Sequence, residues 1–148
     1  MSFNRVGRVI IENCEISDFT NRFAYFKDTN HLTLSGNSFR NCGCISSSDI
    51  KGGILQCNKF DSIVFENNEF HNCYVARNEY SYNYWATGIL LHIEDTAKTI
   101  DVRKNRFIGC ECRNNSSKYT EAYITGYVST KKEVDNTCTG SVKRIFEN

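Results

Sequence analysis

The residues best suited to bind a ligand lie in a short aromatic stretch near the middle of the chain. Tyr80, Tyr82 and Tyr84 alternate there, and Trp85, the only tryptophan of the 148 residues, follows directly. Aromatic rings hold sugars through apolar C–H contact, while their polar groups hydrogen-bond at the rim. We interpret this stretch, together with Tyr119 in a later loop, as a candidate binding patch for a carbohydrate or a protein. Two simpler interpretations stay open: the rings cover a flank of the fold, or the alternation marks an additional edge strand.

Residues for acid–base catalysis are few and scattered in the sequence. Glycoside hydrolysis requires two carboxyl groups about 5 to 10 Å apart, and a lyase requires a calcium-binding acidic cluster with a strong base. We expect Asp49, Asp61 and the pair Glu94 and Asp95 to lie in turns on different sides of the fold. His92 alone is a weak candidate for an acid or a base, and the sequence shows no Ser/His/Asp or phosphate-loop pattern. We therefore predict a chain without a catalytic centre.

An internal repeat indicates the fold that positions these residues. Residues 62–75 read S-I-V-F-E-N-N-E-F-H-N-C-Y-V, and similar stretches occupy residues 31–44 and 99–112. A looser copy covers residues 8–19, and residues 144–148 resemble the first strand of a fifth copy. Self-similarity at this spacing is typical of a solenoid.

The aligned copies share residue types column by column. Branched and aromatic residues alternate with other residues at the start of each copy, which predicts a short strand. The two apolar columns are Val9, Leu32, Ile63 and Ile100, and then Ile11, Leu34, Phe65 and Val102. We take Phe146 as the next member of the second column, which predicts that the coils lengthen steadily toward the C-terminus.

Three further columns follow the first strand. They consist of Asn37, Asn68 and Asn105, of Phe39, Phe70 and Phe107, and of Cys42, Cys73 and Cys110, with Cys14 at the asparagine position of the first copy. Asparagine suits a sharp corner because it tolerates left-handed backbone, and stacked asparagine side chains can hydrogen-bond to one another. We expect the phenylalanine and cysteine side chains to stack inside, where a free thiol acts as a small hydrophobe. Disulfides between stacked neighbours remain an alternative.

A third strand is predicted between the copies, at residues 23–26, 52–57, 88–93 and 125–128. Each coil then has three short strands and three turns. The predicted fold is all-β, a parallel β-helix of about four to five coils.

Alternation along this third strand separates an inward column from an outward one. It directs Phe26, Cys57 and Ile93 inward and stacks three polar side chains outward, namely Tyr25, Gln56 and His92. We interpret Tyr25, Gln56 and His92 as further candidate ligand-binding residues.

Three insertions fall at the same point of successive coils, at residues 45–51, 76–87 and 113–121. Because the coils stack, we expect these segments to emerge from one side as adjacent loops, where binding residues commonly lie. A further segment, residues 130–141, is charged and polar, and we predict that it is a solvated loop.

The repeat carries a family resemblance. G-G-I-L at residues 52–55, paired with F-R-N at 39–41 and F-H-N at 70–72, resembles the alternating motifs of polymorphic outer-membrane-protein repeats. More broadly, the chain resembles the pectate-lyase-like superfamily of β-helices. The resemblance implies a right-handed helix and an extracellular or cell-surface location, although the first residues are not typical of a signal peptide. It leaves function open, since that superfamily includes lyases, hydrolases, phage tailspikes and adhesins.

Composition limits the partners of the chain. The chain has a net charge of +1 and no run of basic residues, which disfavours nucleic acid as a partner. No stretch approaches the roughly 20 apolar residues of a membrane span. Cys42 and Cys44 lack the spacing and the histidine of a zinc site, so we expect no metal and no cofactor. The absence of proline suits a chain that consists mostly of stacked strands.

We predict a single β-helix domain over residues 1–148, either a segment of a longer solenoid or one that self-associates through its coil edges. Its expected role is a non-catalytic, adhesin-like module that presents stacked loops to a glycan or a protein. The alternatives are part of a polysaccharide lyase or glycoside hydrolase, and a structural subunit that assembles end to end.

Overall fold

The computed structural model of the chain describes residues 1–46, 50–77, 86–113 and 122–147. Within these ranges the regular structure consists of strands, without helices, and each strand pairing is parallel. Neighbouring strands in a sheet come from successive coils of the chain, so the backbone winds upward by one strand spacing per coil, about 4.8 Å. The predicted parallel β-helix is confirmed.

The strands, numbered in chain order, form four parallel sheets. The largest contains β1 (Ser2–Asn4), β2 (Arg8–Glu12), β4 (Ala24–Lys27), β5 (His31–Ser35), β9 (Leu55–Glu66), β13 (Leu91–Arg103), β16 (Ala122–Val134) and β18 (Arg144–Glu147). The second contains β3 (Glu15–Ser17), β6 (Ser38–Arg40), β10 (Glu69–His71), β14 (Arg106–Ile108) and β17 (Thr137–Thr139). The third contains β7 (Gly43–Ser46), β11 (Tyr74–Arg77) and β15 (Glu111–Arg113), and the fourth contains β8 (Ile50–Lys51) and β12 (Ala86–Thr87).

The division of each coil into strands differs from the sequence prediction in two ways. The third strand of one copy and the first strand of the next join into one long strand in β9, β13 and β16. The third and fourth sheets lie partly within the segments predicted as insertion loops, because the ends of these segments pair in register from coil to coil.

The last coil corrects the predicted register. Phe146 pairs with Ile124 and not with the column of Val102, whose partner is Glu133. The repeat lengths measured along the asparagine column are 23, 31, 37 and 31 residues, so the predicted steady lengthening is wrong. The predicted third strand at 125–128 starts too late, since Ile124 occupies the position of Leu91.

The segment 130–141, predicted as a solvated loop, contains the end of β16 and all of β17. The sequence signal fails there because Lys131 and Glu133 occupy the positions of Ile100 and Val102 in the previous coil. Lys131 Nζ lies 5.6 Å from the centre of the Phe146 ring, and burial raises the pKa of the Glu133 carboxyl. Charged side chains thus replace the apolar column where the described coils end.

Phenylalanine rings stack inside the column. Phe39 and Phe70 have ring centres 5.1 Å apart, and Phe70 and Phe107 have centres 5.0 Å apart, each pair nearly parallel. All three side chains are buried. Burial stabilises the fold by about 1.5–3 kcal/mol per side chain, and ring pairing adds about 0.5–1.5 kcal/mol. The same residue type recurs at this position because each ring packs directly on the ring of the next coil.

The asparagine column forms a buried hydrogen-bonded ladder. The Nδ2 atoms of Asn37, Asn68 and Asn105 each donate to the Oδ1 atom of the next asparagine, at 2.9–3.0 Å. Asn136, which the alignment of the internal repeats missed, accepts the hydrogen bond from Asn105. The backbone N–H of Cys14 donates to Asn37 Oδ1, so the looser first copy ends the ladder without an amide.

The left-handed backbone at this corner lies one residue before the ladder. Gly36, Asn67 and Lys104 have φ angles of 65°, 54° and 55° and precede Asn37, Asn68 and Asn105. The prediction that the ladder asparagines themselves adopt this conformation is therefore wrong. Asparagine recurs in this column because its side chain hydrogen-bonds to the next coil, and not because the backbone there is left-handed.

The cysteines are free thiols. Cys42, Cys73 and Cys110 are buried in the core, and each Sγ atom lies within hydrogen-bonding distance of backbone carbonyl groups. They fill the column as small apolar side chains.

Candidate functional site

The outward column of the largest sheet has the register that the sequence predicts. Tyr25 in β4 pairs with Gln56 in β9, Gln56 with His92 in β13, and His92 with Thr125 in β16. The adjacent residues Phe26, Cys57 and Ile93 point into the core and are buried. This burial fixes which face of each strand carries the polar residues.

Exposure divides this outward column into two kinds of residue. Gln56 is only 7% exposed and Thr125 only 5%, so neither offers much surface to a ligand. Tyr25 and His92 are half-buried. The burial of Gln56 therefore gives little support to its prediction as a ligand-binding residue.

A β-bulge brings a carboxylate to this face. Between Ile93 and Thr96, β13 contains one more residue than the paired segment of β9, and such an extra residue redirects the neighbouring side chains. Tyr25 Oη donates a hydrogen bond to Glu94 Oε2, at 3.3 Å. Partial burial, and then the nearby Glu94 carboxylate, raise the pKa of the Tyr25 phenol. The expectation that Glu94 and Asp95 form a turn away from the column is wrong, because both belong to β13.

Thr125 orients the imidazole of His92. Thr125 Oγ1 and His92 Nδ1 are 2.9 Å apart, across the boundary between two coils. We use the name Tyr25 face for the accessible surface formed by Tyr25, His92 and Glu94. It combines a phenol, an imidazole and an exposed carboxylate on a rigid sheet.

A second polar cluster, which the sequence prediction missed, lies where the long strands bend between their two halves. His31 Nδ1 and Ser62 Oγ are 2.8 Å apart, and Lys98 Nζ lies 2.6 Å from Asp61 Oδ1. A cavity of about 310 Å³ adjoins this cluster; its lining consists of Asp28, Thr29, Asn30, Lys59, Phe60, Asp61 and Lys98. The sequence could have indicated this cluster only through the alignment of the repeats, which places Asn30-His31, Asp61-Ser62 and Lys98-Thr99 at equivalent positions. These pairs share no residue type, so the alignment gave no visible column.

The aromatic binding patch predicted from the sequence comes from two segments of the chain. Tyr80, Tyr82, Tyr84, Trp85 and Tyr119 lie outside the described residues. Their role in binding stays a prediction.

Two chemical properties of the described residues bear on cofactors and membranes. Within the described ranges, His, Cys, Asp and Glu side chains form no group of three or more that could hold a metal ion. A helix long and apolar enough to span a membrane is likewise not found in this part of the chain.

Comparison with known proteins identifies the family of the fold. The family model described as a right-handed β-helix region matches residues 1–138. Comparison with curated proteins gave no match, and comparison with solved structures gave none either. The match spans nearly the whole chain and agrees with the stacked parallel sheets, and it supplies the handedness expected from the resemblance. The chain therefore belongs to the right-handed β-helix family.

Proposed function

We propose that the protein is a binding module whose Tyr25 face holds a glycan. The observation that carries this proposal is the Tyr25–Glu94 hydrogen bond, which joins β4 to β13 across the intervening strand β9. It fixes the phenol ring on the face that also carries the His92 imidazole, with Gln56 between the two. An aromatic ring next to fixed donors and acceptors is the combination that recognises a sugar. A protein partner is the alternative occupant of the same face.

Rigidity supports binding at this surface. The strands that carry Tyr25 and His92 pair with neighbours on both sides, so their backbone is already ordered. A ligand then loses little affinity to ordering of the protein. Because successive coils are spaced by about 4.8 Å, an extended chain of sugars running along the column would meet side chains from several coils.

Binding measurements test the proposal with variants of Tyr25 and Glu94 and a matched glutamate control. The chain is screened on a glycan array, and the affinity of any hit is measured by titration calorimetry for wild type, Tyr25→Phe, Glu94→Gln and Glu12→Gln. Glu12 is exposed in β2, which pairs with β5 away from the Tyr25 face, and it serves as the control. We expect the first two variants to bind at least about fivefold more weakly, since one hydrogen bond contributes about 1 kcal/mol, and the control to bind as wild type. Wild-type affinity in Tyr25→Phe and Glu94→Gln would contradict the proposal.

A polysaccharide hydrolase or lyase is the second candidate, and Glu94 favours it. A carboxylate and an imidazole on one face supply the acid–base groups that the sequence prediction did not expect there. The test is release of reducing ends or unsaturated products from a glycan that binds. Activity that disappears in Glu94→Gln while binding persists would favour the enzyme over the binding module.

Self-association through the ends is the third candidate, and the first coil favours it. Several apolar side chains there are only half-buried, namely Phe3, Val6, Ile11, Ile16 and Phe19. An apolar end surface of this kind gains stability when it is covered. Light scattering over a dilution series tests this role, with Ile16→Lys as the variant that should produce monomers.

A further inference from the structure

The corner between the two halves of the long strands turns two successive residues outward. Phe60 and Ile63 are both buried in β9, and Asp61 and Ser62 between them are half-exposed. Strict alternation would direct one of the two into the core. The corner therefore places Asp61 and Ser62 side by side on the outer surface.

The coils below and above have the same geometry. Asn30 and His31 lie between buried Thr29 and Leu32, while Lys98 and Thr99 lie between buried Ala97 and Ile100. Register pairs His31 with Ser62 and Ser62 with Thr99. Three coils thus contribute six adjacent polar residues to one patch.

Two short contacts connect the side chains of this patch. His31 Nδ1 is 2.8 Å from Ser62 Oγ, within the range for proton transfer between a base and a nucleophile. Lys98 Nζ is 2.6 Å from Asp61 Oδ1, and Thr99 Oγ1 donates to the Asp61 backbone carbonyl at 3.2 Å. A serine, a histidine and an aspartate therefore meet on adjacent coils, with an ammonium group beside them.

An ionised carboxylate lies next to the His31–Ser62 pair. The hydrogen bond from Lys98 lowers the pKa of the Asp61 carboxyl, with His31 and Lys59 contributing in the same direction. Asp61 thus stays ionised next to the His31–Ser62 pair. Serine hydrolases likewise hold an ionised carboxylate near the histidine, where it stabilises the imidazolium that forms during the reaction.

We propose that Ser62 and His31 form a nucleophilic pair that hydrolyses a short-chain carboxylic ester. A cavity of about 310 Å³ is lined by Asn30 and Asp61, the residues directly before His31 and Ser62, and it has room for a small acyl group. Lys59 and Lys98 are among its lining residues, and their positive charge would stabilise the negative charge that develops on the carbonyl oxygen. This site is separate from the Tyr25 face and does not depend on glycan binding there.

The reaction has two balanced stages. Ser62 Oγ attacks the ester carbonyl carbon while His31 Nδ1 accepts the serine proton; the ester C–O bond then breaks, and the alcohol leaves with that proton. Water attacks the acyl-serine with His31 again as base, which releases the carboxylic acid and restores Ser62. The His31 tautomer with its proton on Nε2 is required, because Nδ1 must accept.

The proposal reverses the sequence expectation of a chain without catalysis. That expectation depended on linear patterns, whereas His31 and Ser62 are 31 residues apart and meet only through coil register. The simpler interpretation is a hydrogen bond between neighbouring strands with no reactivity. Covalent labelling separates the two, because a merely structural serine does not react with a mechanism-based phosphonate.

The test uses the full chain with p-nitrophenyl acetate as substrate and a fluorophosphonate as covalent probe. The variants are Ser62→Ala and His31→Gln, with Ser35→Ala as the control, a half-exposed serine on the same outward face of the sheet. Circular dichroism verifies that each variant is folded.

We expect the phosphonate to attach to Ser62, as located by peptide mass spectrometry, and labelling to disappear in Ser62→Ala. Hydrolysis should fall by about 100-fold or more in both site variants, because a positioned base contributes about 10²–10⁴-fold, and remain within about twofold in Ser35→Ala. An unlabelled wild-type chain, or hydrolysis that persists in Ser62→Ala, would overturn the proposal. Glycan binding at the Tyr25 face would be unaffected by either result.

Discussion

Removal of one asparagine from the ladder is the sharpest test of how the coils are held in register. Asn68 Nδ2 donates to Asn105 Oδ1 and to the Leu34 carbonyl, both at 2.9 Å. Its Oδ1 accepts from the backbone N–H and the Nδ2 of Asn37, both at 3.0 Å. The amide of Asn68 thus connects three successive coils with four hydrogen bonds. Asn68→Ala removes all four.

The expected loss follows from the groups left without partners. The Asn37 N–H and the Leu34 carbonyl lie in a region that is at most 1% exposed, so water does not reach them. Leaving the buried Asn37 N–H unsatisfied costs about 1–3 kcal/mol, and loss of the hydrogen bond to the Leu34 carbonyl adds about 1 kcal/mol. Since domains of this size are stable by about 5–15 kcal/mol in total, Asn68→Ala should lower the urea midpoint strongly.

Equilibrium urea unfolding followed by far-ultraviolet circular dichroism measures this loss. Asn4→Ala is the control, because Asn4 is exposed in β1 and its replacement should change the free energy of unfolding by less than about 0.5 kcal/mol. Asn136 lies at the less buried end of the ladder, so Asn136→Ala should lower the free energy of unfolding by an amount between those for Asn4→Ala and Asn68→Ala. If Asn68→Ala loses no more free energy than Asn4→Ala, the ladder does not stabilise the fold.

The pH dependence of Asn68→Asp provides an independent check. Its second carboxyl oxygen would face the Leu34 carbonyl and Asn105 Oδ1, two acceptors, so the folded state favours the protonated acid. The pKa in the folded chain is then higher than the value of about 3.9 in the unfolded chain. Stability is retained below that value and is lost as the pH rises above it. A stability difference from wild type that is constant with pH would refute this account.

Three further predictions concern the core, a glycine corner and the charges. Phe70→Ala should lower the free energy of unfolding by about 3–5 kcal/mol in urea titrations, because it opens a cavity between two stacked rings; a loss below about 1 kcal/mol would contradict close packing. Gly52→Ala should reduce soluble yield and melting temperature, since φ is +81° and a Cβ would overlap the Leu55 carbonyl oxygen; a wild-type melting temperature would show that the corner relaxes. The Arg103 hydrogen bond lowers the pKa of the Glu66 carboxyl, so its contribution is present at neutral pH and is lost as the pH falls through the lowered pKa. Acid melting curves of Glu66→Gln should therefore depend less on pH than those of wild type.

Most of the fold was predictable because inward positions repeat the same residue type. Phe39, Phe70 and Phe107 meet one another directly, so a column in the sequence is a column in space. The prediction failed in the last coil, where Lys131 and Glu133 interrupt the apolar columns and erase the signal that aligns them.

The candidate sites were harder to predict because outward positions follow no such constraint. Tyr25 and His92 could be assigned to one face by alternation alone. Glu94 could not be assigned in this way, because a one-residue bulge breaks the alternation and the sequence gives no sign of it. Ser62 and His31 were missed for a different reason: their proximity depends on a repeat length of 31 residues and on a corner with two outward residues.

The two candidate sites contain the same contact in different surroundings. His31–Ser62 and His92–Thr125 are both histidine–hydroxyl pairs across one coil boundary, at 2.8 and 2.9 Å. The first pair lies beside an ionised Asp61, a lysine ammonium and a cavity, which favour charge separation and attack on a carbonyl carbon. The second has a more hindered secondary hydroxyl that is only 5% exposed, so it orients an imidazole for binding rather than reacting. Phosphonate labelling of Ser62 but not of Thr125 would therefore show that the neighbouring charges, and not the histidine contact alone, determine reactivity on this scaffold.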